Sequence, residues 1–165
     1  MNKKILGVFV SLLAVAILVT PLLGTAYAKK PEIVSGNQMI IGYEPLGDVP
    51  RGKSINVLSV TMLTVEWTGD IAGVAEYEGI LMVHSMEPVA INIHEKIFFP
   101  TVTVNGESGS LTMQVSANLA RGQDVFRWTI IDGTGELANL HGNGIYWVDL
   151  ATGIYYYEGA VHFDP

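Results

Sequence analysis

Glu95 has the strongest chemical potential in this chain. It stands among Ile91, Ile93, Ile97 and Phe98, and in an extended strand it shares a face with Ile93 and Ile97. If that face is buried, a carboxylate sits in apolar surroundings, where it can act as a general base or as a polar anchor for a ligand. A register slip or a bulge would turn it outward instead. Glu76 and Glu78 are spaced i, i+2 and also share a face; pointing inward, they would form a paired-carboxylate site with one raised pKa. The plainer reading leaves them in solvent, with Ala75, Tyr77 and Gly79 inward. Arg127 and Trp128 are strand neighbours and face opposite ways. Trp128 goes with Phe126 and Ile130, a core face that could wall a cavity, and Arg127 then lies outside beside an acid of a neighbouring strand. Gln114 is a candidate hydrogen-bond donor to a ligand, although it alternates with Met113, the stronger core residue.

The other candidates point away from metal, cofactor and phosphate chemistry. No two of His84, His94, His141 and His162 have zinc-motif spacing. His94 and Glu95 are adjacent, so a strand sends them to opposite faces, and a metal site would have to be assembled across strands. None is expected, and His141 reads as a turn residue. Gly133-Thr134-Gly135 and Gly142-Asn143-Gly144 lack the strand–loop–helix setting of a dinucleotide fold, and no lysine follows them as in a phosphate loop. No cofactor is expected. Tyr155-Tyr156-Tyr157, with Tyr146 and Trp147, could form a sugar or lipid platform, but alternation divides such a run between core and surface. The absence of cysteine excludes disulfides, thiolate metal sites and cysteine nucleophiles.

The elements that must position these side chains read as strands. They are expected at residues 39–43, 55–67, 74–84, 89–99, 110–116, 125–131, 145–148 and 154–163. Residues 29–38 read as a flexible lead-in. Residues 44–53, with Pro45, Gly47, Pro50 and Gly52, read as a long exposed loop. Pro100 marks a strand edge or a bulge. Asn105-Gly106 is the signature of a type I′ hairpin turn, and residues 132–144 read as a glycine-rich corner. Leu111, Met113 and Val115 alternate with Thr112, Gln114 and Ser116, the pattern of one buried and one wet face. Nowhere after residue 28 does a helical period with caps run for a dozen residues. Short connections make antiparallel neighbours, and about eight such strands hide their edges in a barrel or a sandwich. The expected fold is all-β: an eight-stranded antiparallel, up-and-down, calycin-like barrel.

The N-terminus reads differently. A basic start (Lys3, Lys4), an apolar run over residues 5–23 and Ala26-Tyr27-Ala28 describe a secretory signal peptide spanning 1–28. Residues 29–54 then hold the flexible lead-in, first strand and loop. Residues 55–165 hold the remainder of a single barrel domain that begins near residue 38. The expected location is secreted or extracytoplasmic. The alternative is an uncleaved N-terminal segment, outside-facing, which would be the one route to a membrane. After residue 28 the net charge is about −9, with acids scattered and no basic stripe, so nucleic acid is not an expected partner.

Three stretches in this order carry a resemblance: Trp67-Thr68-Gly69-Asp70-Ile71-Ala72-Gly73, Gly106-Glu107-Ser108-Gly109-Ser110-Leu111-Thr112-Met113-Gln114, and Gly133-Thr134-Gly135-Glu136-Leu137-Ala138-Asn139-Leu140-His141-Gly142-Asn143-Gly144. The chain resembles a bacterial and archaeal family of unknown function whose fold is similar to allene oxide cyclase and to plant dirigent proteins. The resemblance covers roughly residues 55–163 and implies an eight-stranded barrel with a central cavity. It implies no reaction, and no cyclase active-site motif is present to transfer.

Three functional readings follow. The leading one is non-catalytic binding of a small, largely apolar molecule in the barrel cavity, with Glu95, Gln114 and Trp128 as candidate ligand contacts. The second is an isomerase or cyclase acting on a hydrophobic substrate in the same cavity, with Glu95 as the catalytic candidate. The third is a structural or interaction protein with a filled core, able to form homo-oligomers as the dirigent relatives do. Whether the chain is an enzyme is left open at this level.

Overall fold

The computed structural model describes residues 30–48, 57–87, 89–120 and 125–164. The expected signal peptide, at 1–28, lies outside the described residues, as do residues 49–53 of the loop expected at 44–53; residues 44–48 of that loop belong instead to the first strand, because they pair with residues 59–62 of the second. Eight strands follow in chain order: β1 (Glu32–Asp48), β2 (Val57–Gly69), β3 (Ile71–Met86), β4 (Val89–Val104), β5 (Glu107–Ala120), β6 (Val125–Gly133), β7 (Leu140–Asp149) and β8 (Ile154–Phe163). Each pairs antiparallel with the next, and β1 pairs back with β8, so the sheet closes into an eight-stranded up-and-down barrel. Among the described residues no helix is long and apolar enough to cross a membrane.

Alternation governs which side chains fill the barrel. Leu111, Met113 and Val115 on β5 are buried while Gln114 and Ser116 are exposed. Asn105 and Gly106 both take left-handed backbone (φ 49° and 93°), which a type I′ turn requires. At Pro100, β4 does not stop: its register on β5 shifts between Phe99 and Val102, and this bulge absorbs the proline's missing donor.

Most strands run past the bounds that local sequence implies, and two of them begin well before those bounds. β1 begins at Glu32 within the expected flexible lead-in, because residues 32–38 pair with residues 155–161 of β8. β7 begins at Leu140, not at 145, because His141 through Gly144 pair with His162 through Gly159. His141 is thus a strand residue and not a turn residue. Its ring lies 5.8 Å from that of His162, and Asp164 sits 3.2 Å and 3.5 Å from the two Nε2 atoms. In both strands the distant partner satisfies backbone groups that the local sequence would leave to water.

The largest buried side chains pack toward the end where β2 joins β3, β4 joins β5 and β6 joins β7. Trp67 packs edge-on against Phe99 at 5.5 Å and tilts against Tyr157 at 4.6 Å. Leu137, on a single 3₁₀ turn between β6 and β7 (Gly135–Leu137), is fully buried and plugs this end. The Tyr157 hydroxyl accepts the Ile71 amide at 2.8 Å and donates toward the Ile71 carbonyl at 3.0 Å, tying β8 to the start of β3. Trp128 is fully buried against Gly144 and Gly159, where any β-carbon would fall 2.4 Å and 2.2 Å from its ring.

Candidate functional site

Nearer the end where β1 joins β2, β3 joins β4 and β7 joins β8, the described side chains leave a space. A cavity of about 60 Å³ is lined by Gln38, Leu63, Tyr77, Glu95, Phe126 and Tyr146, with Ile40, Val65 and Tyr155 completing it. A single water needs about 10–15 Å³, so the space takes a small organic group. Every lining position follows from alternation: Gln38 shares the inner face of β1 with Val34, and Glu95 shares that of β4 with Ile93 and Ile97.

Glu95 is 9% exposed. Its cross-strand neighbour on β3 is Gly79, which presents no side chain beside it, and on β5 it is the buried Val115. The Tyr146 hydroxyl donates to Glu95 Oε2 at 2.8 Å, a bond that runs from β7 to β4 through the barrel interior. Burial pushes the Glu95 pKa up, and the Tyr146 bond draws it partly back. The Tyr146 phenol is held well above its usual range by burial first and by the Glu95 charge second. Phe126 stacks on Tyr146 at 4.5 Å and fixes the ring that carries this donor.

A second polar chain crosses from β2 to β3 to β1. Trp67 Nε1 donates to the Tyr77 hydroxyl at 2.8 Å, and that hydroxyl donates to Gln38 Oε1 at 3.0 Å. Gln38 is 3% exposed. Its amide nitrogen is buried and has no hydrogen-bond partner among the described residues.

The structure therefore brings Glu95 inside, and it separates the other two candidate ligand contacts from the cavity. Gln114 is exposed, on an outer depression with Glu78, His94 and Lys96; its alternation with buried Met113 excludes it from the interior. Trp128 is interior but lies deeper, one inward position from Phe126, which takes the wall role instead. Glu76 and Glu78 are exposed, with Ala75, Tyr77 and Gly79 inward, so they form no inner carboxylate pair. Arg127 is exposed. The tyrosine run is divided: Tyr155 and Tyr157 face in, and Tyr156 stacks on Trp147. No group of three or more His, Asp or Glu is placed to hold a metal ion among the described residues. Sequence reading missed Gln38. The signal was Val34-Ser35-Gly36-Asn37-Gln38-Met39-Ile40, whose even members run from the buried Val34 and Gln38 to Ile40 at the exposed rim of the cavity, but its polar content masked the alternation.

Comparison with known proteins agrees with this architecture. No curated protein matches the sequence. A crystal structure of a protein of unknown function from the DUF3224 family of Shewanella oneidensis superposes with a TM-score of 0.69 at 18% identity, covering 82% of this chain and 99% of that one. The pterocarpan synthase dirigent protein superposes with a TM-score of 0.48 at 17% identity, covering 87% of this chain and 96% of that one. The profile described as "Protein of unknown function (DUF3224)" matches residues 44–156. That span runs from β1 into β8 and includes most of the strands that build the cavity, so the chain belongs to the DUF3224 family.

Proposed function

We propose that this barrel binds a small, largely apolar molecule in its inner cavity, with Glu95 as a polar anchor. The observation that carries this reading is a cavity of about 60 Å³ inside the barrel, with a buried carboxyl on its wall. Interiors are normally filled to crystal-like density, and a buried carboxyl destabilises unless something partners it. Mostly apolar walls with a few convergent polar groups are the usual composition of a small-molecule site. Because the N-terminus reads as an export signal, the proposed encounter with ligand takes place outside the cytoplasm.

Native mass spectrometry of the protein purified from its own host tests the proposal. A co-purifying small molecule, absent when Leu63→Trp fills the cavity, is the expected result. A clean apo mass, together with no thermal shift from a panel of lipids and metabolites, would overturn it and favour a structural role. Chemical conversion of the bound compound, abolished by Glu95→Gln, would instead establish the isomerase reading of the same pocket.

A further inference from the structure

Resting on the cavity-binding reading, we propose that Gln38 is a specificity-determining residue, and that the bound molecule is an uncharged carbonyl compound whose oxygen accepts a hydrogen bond from the Gln38 amide. Three observations carry this. First, Gln38 lies on the cavity wall, is 3% exposed, and has a buried amide nitrogen with no partner among the described residues. Natural interiors rarely leave such a donor unpaired.

Second, the direction of that donor is set by its neighbours. The Trp67 indole nitrogen can only donate. It gives its proton to the Tyr77 oxygen, which leaves the Tyr77 hydroxyl proton for Gln38. If the amide were flipped, Tyr77 would accept twice and its own proton would have no acceptor in this chain of bonds. The Gln38 oxygen therefore faces Tyr77, and the NH₂ group is the end left for a ligand acceptor.

Third, the charge at the site selects among acceptors. A carboxylate or phosphate ligand would share the small cavity with Glu95 inside a strongly acidic protein. The same carboxyl can also accept from a donor group on the ligand, because Tyr146 occupies only one of its acceptor positions. A neutral oxo group on an apolar body satisfies Gln38 without adding charge.

The test uses two probes of one shape, butanone and 2-methylbut-1-ene, in which a methylene replaces the oxygen. Both are titrated into the purified chain and into Gln38→Met, followed by two-dimensional NMR. The expected result is that butanone, and not the alkene, shifts the Gln38 side-chain amide signals. The ketone-to-alkene affinity ratio should fall about tenfold in Gln38→Met, the scale of one buried hydrogen bond. Because the amide shift is read in the unaltered chain, the inference stays falsifiable even if the variant misfolds. Binding of both probes with no amide shift, or with an unchanged ratio, overturns the carbonyl assignment and leaves the cavity reading standing. Failure of both probes to bind overturns both readings, and binding of the alkene alone overturns the carbonyl assignment.

Discussion

A carboxyl group enclosed by apolar walls destabilises a fold whenever it is charged, and Glu95 makes that penalty measurable. Burial raises its pKa above the ordinary 4.5, so the folded chain holds the proton to a higher pH than the unfolded chain does. The resulting stabilisation is complete below the unfolded value and is lost as pH rises through the raised folded value. Glu95→Gln keeps an acceptor for Tyr146 and carries no charge. It is expected to be more stable than the unaltered chain at pH 8 and to show no such gain at pH 4, as read by urea unfolding at both. An equal gain at the two pH values would mean that the carboxyl is not the titrating source. Tyr157 offers a contrast. Its pKa is pushed up to about 12, chiefly by burial, so it stays neutral and acts through its hydrogen bonds. Tyr157→Phe leaves the Ile71 amide without its 2.8 Å partner and should cost about 1–3 kcal/mol. A loss under 0.5 kcal/mol in equilibrium unfolding would show that the amide finds another partner.

Among the elements, register matters more than strand propensity. The strands bend through bulges in β1, β3 and β4, and a slip of one residue would exchange Glu95 with His94 or Lys96 on the inner face. One device that holds the β6–β7–β8 register is the seat for Trp128. Its indole lies where Gly144 and Gly159 carry no side chain, and Nε1 donates to the Ile145 carbonyl at 3.2 Å. Gly159→Ala would set a methyl 2.2 Å from the ring and 2.5 Å from the Asn143 carbonyl. Overpacking of this kind costs about 1–3 kcal/mol, so a drop in thermal midpoint with loss of the near-ultraviolet tryptophan signal is expected. An unchanged midpoint would show that the ring can move aside. The same pair shows what local reading could and could not deliver: Gly144 stood out in a glycine-rich corner, but Gly159 did not, because the indole that both receive comes from another strand.

At the scale of the molecule, closure is the decisive feature. β1 contacts both its sequence neighbour β2 and, through residues 32–38, the last strand β8. Removing residues 1–38 would delete that seam and leave β8 with an unpaired edge, an invitation to association. The truncated chain is expected to lose cooperative unfolding and to elute as larger species in size-exclusion chromatography. A monomer with an unaltered melting profile would show that the seam is dispensable. The seam also supplies Gln38, so the element that closes the barrel carries a buried polar residue of its cavity.

By itself the sequence determined the all-β class, the antiparallel order and the shared face of Glu95 with Ile93 and Ile97. Each rests on alternation or on a turn such as Asn105-Gly106, signals that act over a few residues. Tertiary structure alone decided the rest. Glu95 meets Tyr146 across 51 residues of sequence, and Gln38 meets Tyr77 across 39. The early start of β1 and of β7 depends on β8. Gln114 and Trp128 were separated from the cavity by face and by depth, and depth along a barrel is set by shear and closure. Periodicity tells which way a side chain points; only the closed barrel tells what it meets there.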